Sequence, residues 1–476
     1  MKKSLLFVAA SATLLFAACT AESGGPSSNI SYDVLKAAEQ ANVPTPITFS
    51  TFTGREAVTR IGTIGNVTEL RDHGGFGVFA YHTHGDYSPA AMPNFRYNQQ
   101  VVGSAAATPV WSYSPIKYWP NDTQADAEAA GISANKDKLS FFAYAPYIPM
   151  NIIRSADGVV LDAPGGNPKT QGIIQITPKD GSTAGDVKIA YEGGTSKLAD
   201  ELLFGVAEGV APATVPWTGV DGIATPIPAG MPFKSLVKPA DNTTIKFYFK
   251  HALTRLKMSV VAAKNQVGPG PAAHAFWVDG ADPNKTKILI EKITINRPVH
   301  TGGVLNLNNT VAGEPEWEDL AAHASGTFII DKTHALDDDV LGYDADPAVA
   351  FAREGVTTTA KPVFGSHPID PADPTGPKYD DYYLLIPETA TTAPATTSIT
   401  IEYHVMTQDP NLPGQVSDVK NTITKTIPVQ LVLEKAKSYE IRMVLGVNSV
   451  DLDVAVENWT DAAGYPQTIN LPINND

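Results

Sequence analysis

Short apolar strings recur along this chain with Gly and Pro between them, and no long amphipathic helix interrupts the series. The strings lie at 47–52, 76–81, 139–144, 173–176, 244–249, 288–295, 382–386, 399–405 and 427–433. Several alternate apolar and polar residues with period two, the signature of a strand with one face on a core. Only 32–40 and 123–130 read as helical, and both are short. Many short strands separated by turn residues favour stacked sheets over an α/β fold, so the expected class is all-β with antiparallel sandwiches.

At 476 residues the chain is long for one domain and comfortable for two. From 204 to 242 it becomes rich in Pro, Gly, Ala and Thr and loses strand periodicity, which places a linker there. The expected organisation is a leader over 1–18, a tether over 19–45, one β-sandwich over 46–205, a linker over 206–242 and a second sandwich over 243–476. A Pro- and Asp-rich stretch at 364–381 reads as a long exposed loop within the second.

The one cysteine, Cys19, follows a basic start, Met1-Lys2-Lys3, and an apolar run over 5–17 that is too short to span a bilayer as a helix. Small residues, Ala17 and Ala18, stand just before it. This resembles a bacterial lipoprotein signal, with Phe16 where leucine is commoner, and it implies that Cys19 becomes the acylated first residue. Each buried acyl CH₂ contributes about 0.8 kcal/mol, so two or three chains hold a protein on a membrane. Cysteine is then unavailable for disulfides, and the core alone must hold the fold. The formal net charge of −15 repels nucleic acid and anionic lipid heads, so nucleic acid is not an expected partner.

The cluster with a catalytic look is His82-Thr-His84-Gly-Asp86, because alternate residues of an extended chain point the same way and can share a metal. It is similar to the HxHxDH signature of metallo-β-lactamase-like hydrolases, but Tyr87 replaces the final histidine and the strand-helix alternation of that family is missing. Polar residues in the loop after a strand are the better reading, so the sequence predicts no metal. The acidic runs at 337–339 and 380–381 lack the spacing of a dedicated calcium loop. Asn66, Asn121 and Asn242 open N-x-[ST] patterns that carry little weight in a bacterial lipoprotein. There is no G-x-S-x-G, H-E-x-x-H, Walker loop or dinucleotide fingerprint, and the reading is a protein that is not an enzyme and needs no cofactor.

A set of strings says more than any single motif. Thr59-Arg60, Gly75-Phe-Gly-Val-Phe-Ala-Tyr81, Trp111-Ser-Tyr-Ser-Pro-Ile-Lys-Tyr-Trp-Pro120, Phe141-Phe-Ala-Tyr-Ala-Pro146, Asp200-Glu-Leu-Leu203 and Phe249-Lys-His-Ala-Leu253 occur in this order. Together they resemble the fimbrillin family, the FimA-type and Mfa-like lipoprotein pilins of Bacteroides-related bacteria. The resemblance implies two transthyretin-like β-sandwiches, arrival at the outer membrane through lipid on Cys19, and partnership with other fimbrial subunits. It also implies that an arginine-specific protease cuts beyond the first strand, whose release opens a groove for a strand from another subunit.

Both parts of that exchange have candidates here. The strand at 47–52 is followed by Arg55 and Arg60, of which Arg60 better fits the family's position; ordinary surface arginines are the alternative. The C-terminal tail carries Ile469, Leu471 and Ile473 on alternate positions of 467–474, the spacing of a donor strand. Pro472 has no N–H, so it must lie where no ladder bond is needed, and an edge strand packed on its own sandwich is the alternative. Three functions stay open: a polymerising fimbrial subunit that contributes to adhesion, a monomeric surface lipoprotein or tip adhesin binding a host protein or glycan, and a hydrolase around His82 and His84. The aromatic stretch at 113–119 reads as packing rather than a sugar platform. Glu22 is the only acidic residue near Cys19, which leaves inner-leaflet residence open as well.

Overall fold

A computed structural model describes residues 45–52, 64, 66–120, 137–163, 165–193, 201–208, 214–218, 224–239, 243–262, 286–300, 302–310, 317–318, 324–331, 361–362, 383–388, 396–409, 411–413, 416–427, 431–445 and 450–458. Within them the chain is all-β, with one short helix. The strings at 76–81, 139–144, 173–176, 288–295 and 399–405 lie on strands, as do residues 245–249, 383–385 and 49–52 of three others.

The first sheet has eight strands. Along its main path it runs β1 (Phe49–Phe52), Ile245–His251, Leu203–Ala207, β5 (Lys138–Ala145), β2 (Phe76–Thr83), β3 (Arg96–Gly103) and β4 (Trp111–Ser112). Phe233–Leu236 pairs with β5 farther along the edge used by Leu203–Ala207. A seven-stranded sheet from Ile152–Ser155 to Trp317–Glu318 stacks on one face. Phe79, Tyr81, Phe142 and Tyr144 from the first sheet fill the space against Leu161, Ile173, Ile189 and Tyr191 of the second.

The opposite face of the first sheet is also buried, which explains the near-continuous apolar runs of β2 and β5. Phe76, Val78, Ala80, Leu139, Phe141 and Phe247 meet Ile47, Phe49, Trp119, Trp217 and Ile227 there. The helix α1 (Val67–Asp72) adds Leu70 to this core. Asn66 caps it, its side-chain oxygen accepting from the N–H groups of Thr68 and Glu69 at 2.9 Å each, so Asn66 of the N-x-[ST] pattern is engaged as a helix cap. A second sandwich forms from a sheet centred on Thr254–Ala262 and Lys437–Leu445 and another centred on Thr286–His300 and Ser398–Gln408. Its core unites Met258, Ile293, Ile401, Tyr403, Tyr439 and Ile441.

The strand pairing adds detail to these expectations. The pairing is antiparallel apart from β1 with Ile245–His251 and Thr254–Ala262 with Lys437–Leu445, which are parallel. The stretch expected as a linker over 206–242 contains Thr214–Thr218 and Ala224–Pro228, paired with each other, and Phe233–Leu236 in the first sheet. Its prolines hid the strands: Pro216 stands opposite Pro226, a position where no ladder N–H is demanded. Trp217 and Ile227 from this ribbon cover the first sheet. Nor do the sheets respect a boundary at 243, since Ile245–His251 lies inside the first sheet and Gly302–Asn306 inside the second.

The string at 427–433 is not a strand where it is described, at Ile427 and 431–433. Pro428 lacks the N–H a ladder needs, and the flanking backbone bonds elsewhere. Ile427 N–H donates to the Thr397 carbonyl, and Leu431 O accepts from Arg297 Nη1 at 2.8 Å. Leu433 N–H donates to Glu388 Oε2 at 3.3 Å, and that carboxylate pairs with Arg297 in the interior. Ile427, Leu431 and Leu433 still serve the core. The segments expected as helical, 32–40 and 123–130, lie outside the described residues, as do the acidic runs and the loop at 364–381.

Candidate functional site

Ile47 and Phe49 are apolar residues on alternate positions at the start of the first sheet, and both are buried in its outer core. β1 runs parallel to Ile245–His251, with Phe49 beside Ile245 and Phe52 beside Tyr248. Ile245 N–H donates to the Thr48 carbonyl at 2.9 Å. On the other side the chain pairs with the segment at 117–119. There Ile47 N–H donates to the Lys117 carbonyl at 2.9 Å and Trp119 N–H to the Thr45 carbonyl at 3.0 Å. The Tyr113 hydroxyl donates to the Ile47 carbonyl at 2.7 Å.

Residues 45–52 therefore lie in a slot with backbone partners on both sides. The floor is aromatic: the Phe49 ring sits 5.2 Å from Tyr113, 5.8 Å from Phe141 and 6.0 Å from Phe247, centroid to centroid. Burial of Ile47 and Phe49 contributes roughly 1.5–3 kcal/mol each. The 113–119 wall is fastened to β3. Arg96 Nη2 donates to the Pro115 carbonyl at 2.5 Å and its guanidinium lies 4.5 Å from the Tyr113 ring centroid. Burial holds Arg96 below the usual arginine value, and it also lowers Lys117, whose Nζ donates to the Phe95 carbonyl.

Downstream of β1 the chain is anchored again at Ile64, which is 1% exposed. Its N–H donates to Glu201 Oε2 at 2.6 Å, and the other oxygen of that carboxylate pairs with His251 Nδ1 in the interior. Arg55 and Arg60 fall between these two anchors in sequence but outside the described residues, as do Cys19 and the tail residues Ile469, Leu471 and Ile473. If β1 left its slot, the Ile245–His251 strand would become a sheet edge with unpaired backbone groups above an apolar floor. Such an edge templates an incoming strand.

The histidine motif is rearranged relative to the sequence reading. His82 and His84 come together, with ring centroids 5.3 Å apart, but the carboxylate between them is Asp137 rather than Asp86. Asp86 is instead paired with Lys138 at 2.7 Å, and this lysine lowers its pKa. Asp137 escaped notice because it is far away in sequence and enters through strand pairing, Thr83 being opposite Lys138. The Tyr113–Trp119 region behaves as packing at its ends: Trp119 is 3% exposed, whereas Tyr118 is 50% exposed.

No family model matches the chain. A stretch of 101 residues is 31% identical to the fimbrium subunit Fim1C of Phocaeicola vulgatus, covering 20% of this chain and 22% of that one. The chain thus spans about a fifth of the length of this curated relative. Among solved structures, a fimbrial protein from Bacteroides vulgatus is 18% identical over 87% of this chain and 99% of its own, with a TM-score of 0.48. The fimbrial anchor protein Mfa2 from Porphyromonas gingivalis is 10% identical over 87% and 98%, with a TM-score of 0.24.

Proposed function

We propose that this fimbrillin-family protein is a structural, non-enzymatic subunit of a surface fimbria that assembles by strand exchange after proteolysis. The observation that carries this reading is the slot around residues 45–52. Residues 45–47 bond to the segment at 117–119 and residues from Thr48 onward pair with Ile245–His251, with Ile47 and Phe49 in the core, and the covalent link from this segment to the body runs through the stretch ahead of Ile64.

A cut after Arg60, or after Arg55, converts β1 from a covalent part of the body into a bound peptide. The downstream end stays in place through Ile64 and Glu201. Loss of β1 exposes the floor made by Phe141, Phe247 and Trp119, and a strand with alternate apolar residues regains what was lost. The tail residues Ile469, Leu471 and Ile473 have that alternation, and they are the proposed donor to the next subunit. Acylated Cys19 is the proposed tether that carries the precursor to the outer membrane, and the polymer then contributes to surface adhesion.

The direct test uses a peptide of residues 465–476. Arginine-specific cleavage of the purified chain should make it bind this peptide, with a version bearing Asp in place of Leu471 binding far more weakly. Equal binding of both peptides, or binding to the uncut chain as well, contradicts the proposed exchange.

A further inference from the structure

We propose that His82, His84 and Asp137 form a binding site for a first-row divalent transition ion of the zinc class. The site grows out of strand geometry. On β2 the residues Phe76, Val78 and Ala80 face the outer core, and opposite them on β5 stand Leu139, Phe141, Ala143 and Ala145 on the same face. Two-residue alternation carries that face on to His82 and His84 along one strand and back to Asp137 along the other. The apolar column thus ends in two imidazoles and a carboxylate that meet across the pair. Lys138, with the opposite parity, is turned away and held by Asp86.

The ligand atoms are already close. His82 Nε2 lies 3.0 Å and His84 Nδ1 2.7 Å from Asp137 Oδ1, and one such atom from each of the three lies within 4.8 Å of the others. A tetrahedral ion with bonds of about 2.0–2.1 Å needs ligand separations of about 3.3 Å. Small adjustments of the rings reach that spacing.

Support for the ligands is unequal, and in a useful way. The backbone of His82 is fixed by Asn94, whose Oδ1 accepts from His82 N–H at 2.9 Å and whose Nδ2 donates to the His82 carbonyl at 3.2 Å. The His82 ring packs beside Phe95 at 6.3 Å, and the Asp137 side chain is 7% exposed. His84 is 70% exposed at its side chain, leaving solvent access on that side. Two nitrogens and one oxygen suit zinc, nickel or copper better than magnesium or calcium, which prefer oxygen ligands. Three protein ligands leave a tetrahedral ion one position for water or a ligand from outside.

The test is zinc titration of the full chain purified without a histidine tag, by calorimetry and by the absorption of bound cobalt. One ion per chain is expected, with a tetrahedral cobalt spectrum and a zinc-dependent rise in melting temperature. His84→Ala and Asp137→Asn should each weaken binding by at least about tenfold, the scale on which even outer-shell partners act. Exposure of His84 keeps the His84→Ala chain folded, so its result stands by itself. No stoichiometric binding by the wild type, or undiminished binding by both variants, overturns the proposal.

Discussion

The backbone N–H of Ile64 donates to Glu201 Oε2 at 2.6 Å, which ties the chain just beyond both candidate cleavage arginines to a carboxylate 137 residues away. Glu201 is 5% exposed and its partner His251 is 4% exposed, so this anchor operates in the interior. Glu201→Ala leaves the buried Ile64 N–H without its acceptor, and an unsatisfied buried donor costs about 1–3 kcal/mol. Glu201→Ala is therefore expected to lower the urea unfolding free energy by about that amount. Native-state hydrogen exchange at Ile64 should rise in the same variant.

Phe49 gives the slot its grip. Replacement by Ala removes a ring that touches Tyr113, Phe141 and Phe247, and truncation of a buried Phe costs about 3–5 kcal/mol. Phe49→Ala is expected near the lower end of that range, because β1 is an outermost strand of its sheet. The Ile245 amide, which donates to the Thr48 carbonyl, should exchange faster in that variant. Ser50→Ala, a change away from the core, should alter stability by no more than about 0.5 kcal/mol.

In the second sandwich, Tyr439 reports on high pH. Burial pushes its phenol up to about 12, and its hydroxyl donates to the Val432 carbonyl at 2.5 Å while accepting from Glu434 N–H at 3.0 Å. A folded pKa above the unfolded value of about 10 contributes stability that is full below pH ~10 and fades as pH rises toward about 12. Tyr439→Phe should lose about 1–2 kcal/mol at neutral pH, since Glu434 N–H loses its acceptor. The gap from wild type should then narrow between about pH 10 and 12, as followed by denaturant titrations.

Much of this was legible because a strand's apolar alternation is a local property. The strings at 76–81 and 139–144 announce strands, and the structure places both on strands of the first sheet; burial on both of its faces emerged only from the packing. What stayed hidden depends on pairing across long sequence gaps. Nothing local in Asp137 says that it will stand beside His84, and the nearer Asp86 draws the eye although Lys138 holds it. Prolines misled in both directions. Pro216 and Pro226 disguised a ribbon as a linker, while the apolar string interrupted by Pro428 reaches the core with no strand at its described residues, Ile427 and 431–433. The helix at Val67–Asp72 is too short to show a helical period, and its sequence signals are the cap Asn66, Glu69 in the first turn and Arg71 in the last.

The most direct measurement treats the purified chain with an arginine-specific protease and follows it by intact mass and gel filtration, beside a chain ending at Trp459. The account expects one cut, after Arg60 or Arg55, followed by a ladder of oligomers from the full chain. The shortened chain should be cut at the same bond yet stay monomeric, since it lacks Ile469, Leu471 and Ile473. A cut full-length chain that stays monomeric, or a ladder that forms equally well without the tail, would contradict it.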